Sequence, residues 1–161
     1  MLSRILAPLD GSAAMAEIVP SLRHLVGGTG VLVHLLAVRP PPSGPVQRGD
    51  RVLYLDDLQR EEQRIWQDYL TRVGSQLAYD GVVVRHEVRF GEPLAATLAA
   101  AKRHAVHLIA VAAPAQHPLR RVLRPGLAQQ LLAQAEVPVL AVPVGRVPRQ
   151  GLVLRYQNLP V

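Results

Sequence analysis

The stretch Arg4-Ile-Leu-Ala-Pro-Leu-Asp-Gly-Ser12 decides how this chain is read. Its apolar residues run for the length of a strand and stop at a turn that presents one carboxylate, Asp10, and one hydroxyl, Ser12. A continuous apolar strand is one buried on both faces, as in a parallel sheet, and the tip of such a strand is where an open α/β sheet builds a ligand site. The same tip has a plainer explanation as a turn and helix cap, because Asp and Ser bond nearby backbone N–H groups and glycine tolerates tight turns.

Outward from this strand, apolar runs alternate with segments of helical periodicity, the pattern of a parallel sheet covered on both sides. Ala14, Ile18, Leu22 and Leu25 recur at helical spacing, and Gly27-Gly28 closes that helix. Val31 to Val38 reads as a central strand, with His34 inside it as a core histidine. Arg39 to Arg51 holds four prolines and two glycines and reads as a long surface loop. The longest helix follows, with Leu58, Ile65, Trp66, Tyr69, Leu70, Val73 and Leu77 as its apolar stripe; Trp66 and Tyr69 are assigned to packing rather than ligand stacking. Val82 to Phe90 alternates apolar and polar residues and reads as a half-covered strand near an edge. Pro93 suits the first turn of the next helix. Val106 to Ala113 is the fourth strand, Pro125 or Gly126 opens the last helix, and Val137 to Val144 is the fifth strand. One domain over residues 1–144 is expected, with 145–161 as a C-terminal extension in which Leu152 to Tyr156 has strand character.

At 161 residues the chain is long enough to bury a core without disulfides or metals. It has no cysteine, which excludes a disulfide framework, a thiolate zinc site and cysteine catalysis and is compatible with a reducing cytosol. Pro8, Asp10 and Ser12 interrupt the one N-terminal apolar run, so neither a signal peptide nor a membrane span is expected, and the chain is read as cytoplasmic. The formal charge is +6, with Lys102 the single lysine. Scattered arginines and few aromatic residues point to compositional bias rather than a nucleic-acid partner.

The opening ILAPLDGS, the helix behind it, the loop after the second strand and the closing Val137-Pro-Val-Leu-Ala-Val142 together resemble the universal stress protein family, from Ser3 to about Val144. The resemblance implies a three-layer α/β sandwich whose five parallel strands lie in the order 3-2-1-4-5, with ATP held in binding members between the ends of strands one and four. It maps base and ribose contacts onto Pro8, Leu9, Asp10 and Val38, with Val111 at the end of strand four, and Ser12, Ala112, Ala115, Gly126 and Leu127 complete the nucleotide crevice.

The phosphate side departs from the family pattern. Binding members carry G-x2-G-x9-G followed by Ser or Thr, and those positions hold Ala112, Ala115, Pro125 and Gly126 here. Alanine disfavours positive φ and crowds a phosphate, proline lacks a donor, and glycine lacks the hydroxyl. Hydrogen bonds to charged groups contribute roughly 1.5–3 kcal/mol each, so losing two removes about 3–6 kcal/mol, or two to four decades of affinity. Arg120, Arg121 and Arg124 in the same loop are the opposing feature, either a solvated face or substitute phosphate contacts.

The sequence therefore reads as a non-catalytic stress-response protein with weak or absent binding of ATP and Mg²⁺; the alternative is a sensor that binds ATP or another anion through the three arginines. Ser12, Asp10 and His117 do not form a hydrolase motif, since no G-x-S-x-G elbow exists, and His104 and His107 have no carboxylate at metal-ligand spacing. Neither catalytic nor metal-binding residues are assigned. The fifth strand, rich in valine, is expected at a sheet edge and paired with a second copy in a homodimer, with the C-terminal tail as a rival cover and an unidentified protein as a further partner.

Overall fold

The computed structural model describes residues 3–11, 17–26, 30–78, 82–114 and 125–144. Its elements are β1 (Arg4–Leu9), α1 (Ile18–Val26), β2 (Leu32–Arg39), β3 (Val46–Arg48), β4 (Arg51–Leu53), α2 (Leu55–Leu77), β5 (Val83–Phe90), α3 (Pro93–Arg103), β6 (Leu108–Pro114), α4 (Leu127–Gln134) and β7 (Val139–Val144). Five strands form one sheet in the order β5-β2-β1-β6-β7, every pairing parallel. Counted along the chain, those strands lie 3-2-1-4-5, as the resemblance implies. No helix among the described residues is long and apolar enough to cross a membrane.

The segment after β2 differs from its expected form. Within the proline-rich stretch, β3 and β4 pair antiparallel, Arg48 opposite Arg51, so Gly49 and Asp50 make a two-residue turn. Gly49 has φ of +60°, the geometry a II′ hairpin turn requires at its first central position. The Gly-Asp pair is a hairpin signal that the four upstream prolines overshadowed.

Alternation along the strands divides the core in two. Ile5, Ala7 and Leu9 of β1, with Val33, Leu35 and Ala37 of β2, meet α1 and α2 on one face. Leu6, Leu36, Ile109 and Val111 meet α3 and α4 on the other. Gly74 lets α2 approach closely: a Cβ there would stand 3.2 Å from Val84 Cγ1 and 3.7 Å from Leu35 Cδ1. Among the described residues β5 pairs with β2 alone, at the sheet edge as expected, but its polar residues do not alternate strictly, since Arg85, His86 and Glu87 follow one another. At the start of α3, Glu92 accepts from the N–H groups of Leu94 and Ala95, so the helix is capped one residue before Pro93.

One polar cluster sits on the α3 face. His34, 8% exposed, stacks its ring on His104 with centroids 4.3 Å apart. His104 Nε2 lies 2.9 Å from Glu87 Oε2, and Glu87 also accepts from Arg103 and Arg89. The fold thus gives His104 the carboxylate that sequence spacing did not show, because β5 returns beside the end of α3. Among the described residues no three such groups converge as a metal site. Burial alone would raise the Glu87 carboxyl, but hydrogen bonds from His104 and Arg89 and the charges of Arg89 and Arg103 hold it below its ordinary value.

Burial, then the charges of His104, Arg85 and Arg4, depress the His34 pKa, against an opposing pull from Glu87. The unfolded chain takes up this proton near 6.5, whereas the native protein takes it up only at lower pH. Stability tied to His34 is therefore complete above that value and is lost as pH falls below it toward the depressed native pKa. Urea midpoints should fall as pH is lowered from 7.5 toward 5, and His34→Leu should flatten that slope; an unchanged slope in the variant contradicts the assignment.

Candidate functional site

The site grows from a break in one strand ladder. β1 pairs with β2 through Leu9 and Ala37, and β6 pairs with β7 through Pro114 and Val144. Between β1 and β6, however, pairing consists of Ile5 with Leu108 and Leu6 with Ile109, and then stops. Ser3 C=O accepts from Leu32 on the β2 side, and Arg4 C=O accepts from His107 on the β6 side. Alternation then turns Leu6 and Pro8 toward β6. Proline has no N–H, so the β1 ladder loses its donor at Pro8 on the side where pairing ends. The paired edges of β1 and β6 stop holding each other at the point where strand order reverses.

Pro8 and Leu9 are buried within β1, while Asp10 and Gly11 are exposed at its tip. Val38, half-buried near the end of β2, packs into the α3–α4 core. Val111 is 1% exposed in that same core, whereas Ala112, 6% exposed, belongs to the α1–α2 core. On β6, Ile109 donates to Pro138 on the β7 side, so alternation turns the backbone groups of Ala110 and Ala112 toward β1 and those of Val111 away from it. Ser12, Ala115, His117, Arg120, Arg121 and Arg124 lie outside the described residues.

The opening turn of α4 is committed to its own chain. Gly126 N–H donates to Gln129 Oε1 at 3.3 Å, and Gln130 Nε2 donates to Pro125 C=O at 2.7 Å. A backbone donor that a phosphate would need at this helix start is therefore engaged by a side chain three residues on. Leu127, the first helical residue, is half-buried and packs into the α3–α4 core.

Above the β1 tip stands a group that periodicity assigned to packing alone. Trp66, reaching from α2, places its six-membered ring against Gly11: a Cβ on Gly11 would overlap Cη2 and lie 3.0 Å from Cζ3. The Arg39 guanidinium carbon sits 4.5 Å from the centre of the indole, and Arg39 Nε donates to Glu62 Oε2 at 3.3 Å. Tyr69 meets Trp66 edge-on at 5.4 Å. Burial first, and then the Asp10 charge, push the Tyr69 hydroxyl up from its ordinary value. Arg39 ends β2 beside Val38, the one sequence clue that it belongs to this site.

A universal stress protein family model matches residues 1–143. The chain belongs to the universal stress protein family. Solved structures agree in fold: the hypothetical protein MJ0577 superposes with a TM-score of 0.72 at 16% identity, covering 91% of this chain and 99% of that one. A universal stress protein in complex with cAMP gives 0.68 at 15% identity, covering 87% and 96%. A universal stress protein family protein from Arabidopsis thaliana with AMP bound gives 0.61 at 13% identity, covering 89% and 93%. No curated protein matches this member of the family by sequence.

Gly11 joins two requirements, a φ of +74° and contact with Trp66. A left-handed conformation costs a non-glycine residue about 1–2 kcal/mol and overpacking about 1–3 kcal/mol. Gly11→Ala should therefore destabilise the protein by about 2–5 kcal/mol in urea unfolding. Trp66→Leu in the same chain should relieve only the packing share. A Gly11→Ala variant as stable as the parent contradicts this geometry.

Proposed function

We propose that this universal stress protein is a non-catalytic, cytoplasmic stress-response regulator that acts by recognition and binds ATP with Mg²⁺ weakly or not at all. The observation that carries the reading is the first turn of α4, where Gly126 N–H is engaged by Gln129, Pro125 has no N–H, and neither residue has a hydroxyl. Ala112 adds a Cβ where binding members have glycine. The site residues proposed for the crevice are Pro8, Leu9, Asp10, Ser12, Val38, Val111, Ala112, Ala115, Gly126 and Leu127. The AMP- and cAMP-bound proteins of the same fold motivate a second reading, an anion sensor in which Arg120, Arg121 and Arg124 supply the phosphate contacts.

Replacing Ala112, Ala115 and Pro125 by glycine and Gly126 by serine tests the leading reading. ATP with Mg²⁺ should raise the melting temperature of this variant at concentrations where the parent does not respond. A parent already shifted by micromolar ATP supports the sensor instead.

The proposal includes a homodimer through β7. Leu140 and Val142 are 4% and 3% exposed, covered by the α1–α2 core of their own chain. Among the described residues, the edge therefore offers unpaired backbone rather than bare apolar side chains. Pro138 C=O faces β6, so alternation turns Val139, Ala141 and Pro143 outward, and Pro143 lacks a donor. Ladder bonds to a second copy would centre on Val139 and Ala141. Light scattering should give a dimer mass for the parent and a monomer mass for Ala141→Pro; a parent that is monomeric at every concentration ends this proposal.

A further inference from the structure

Trp66 does more than fill the α1–α2 core. Its benzo edge closes on Gly11, leaving no gap between the indole and the β1 tip. One indole face is covered by Arg39, which is tied to Glu62, and Tyr69 packs edge-on to the ring. Neighbours on three sides thus hold the ring over the ends of β1 and β2. On the crevice reading given above, that is the half where a nucleotide base and ribose would sit, beside Asp10.

We propose that Trp66 is a specificity-determining gate which excludes a nucleoside base from the β1–β2 side of the crevice, independently of the altered phosphate side. The inference rests on the crevice reading given above but concerns a different part of the ligand. A stacking platform for a base needs a ring face left open at about van der Waals spacing and room beside it. Here the cation takes one face, Tyr69 crowds the ring at 5.4 Å, and the edge toward the strand tip abuts Gly11, so no room is left for a base between the indole and the β1 tip. An indole so held acts as an obstruction. Trp66→Ala removes the obstruction entirely, and Trp66→Leu removes most of it while keeping an apolar side chain in the core.

The test is isothermal titration of the full chain and of both variants with AMP, after far-ultraviolet circular dichroism has shown each to be folded. AMP should bind Trp66→Ala at least about tenfold more tightly than the parent, with Trp66→Leu between them. If Trp66→Ala does not fold, the comparison of Trp66→Leu with the parent decides. Equal or weaker binding in the folded variants overturns the gate. Trp66 is the chain's single tryptophan, so its emission supplies a second readout. Saturable quenching by AMP in the parent identifies a stacking platform and also overturns the gate. Micromolar AMP binding by the parent would count against the weak-crevice reading, whereas the ratio between variants and parent judges the gate alone.

Discussion

A missing N–H at Pro8 is the constraint on which the rest of the site depends. A proline in a central strand ordinarily leaves a carbonyl of the neighbouring strand without its donor. Here it lies on the side of β1 where pairing with β6 has already ended, while the β2 side continues to Leu9. The strand can therefore stay central in the sheet and still release its last residues from one neighbour. Asp10 and Gly11 stand exposed at the switch point, and Trp66 reaches Gly11 from α2. The positive φ of Gly11 then becomes a requirement of the turn and of the indole together.

Two opposing effects meet in the crevice. On the proposed reading, the scaffold keeps the features that would place a ligand, namely the interrupted ladder, the carboxylate of Asp10 and backbone groups of Ala112 directed at the seam. The chemistry that would hold a phosphate has been replaced by methyl groups, a proline and a helix start satisfied by its own glutamine. Lost charged hydrogen bonds are worth several kcal/mol together, whereas a pair of charges in contact with solvent contributes about 0–1 kcal/mol. That difference in magnitude favours recognition by the protein surface over nucleotide chemistry.

Much of the fold was legible because burial leaves a direct mark on sequence. Val31 to Val38 is apolar almost throughout since β2 is covered on both faces, whereas β5 mixes polar and apolar residues because much of it is left exposed at the sheet edge. Pro93 and Gly126 marked helix starts through backbone restrictions that act locally. Strand order came from the family resemblance rather than from periodicity. Contacts between distant residues were not legible. Trp66 and Gly11, or His104 and Glu87, carry no mutual signal in a single sequence, and an apolar stripe looks alike whether its tryptophan fills a core or closes a crevice. The β3–β4 hairpin was missed for a different reason, since a short Gly-Asp turn competed with a dense run of prolines. For the β7 edge, composition overstated the exposed apolar surface, because Leu140, Val142 and Val144 already lie in the core of their own chain.

The central claim, that a nucleotide-binding scaffold has lost its grip on phosphate while keeping its fold, is tested most directly by isothermal titration calorimetry of the unaltered full chain with ATP and Mg²⁺. The account predicts a dissociation constant of about 1 mM or weaker, the consequence of losing two charged hydrogen bonds from a micromolar site. A dissociation constant in the low micromolar range would contradict it.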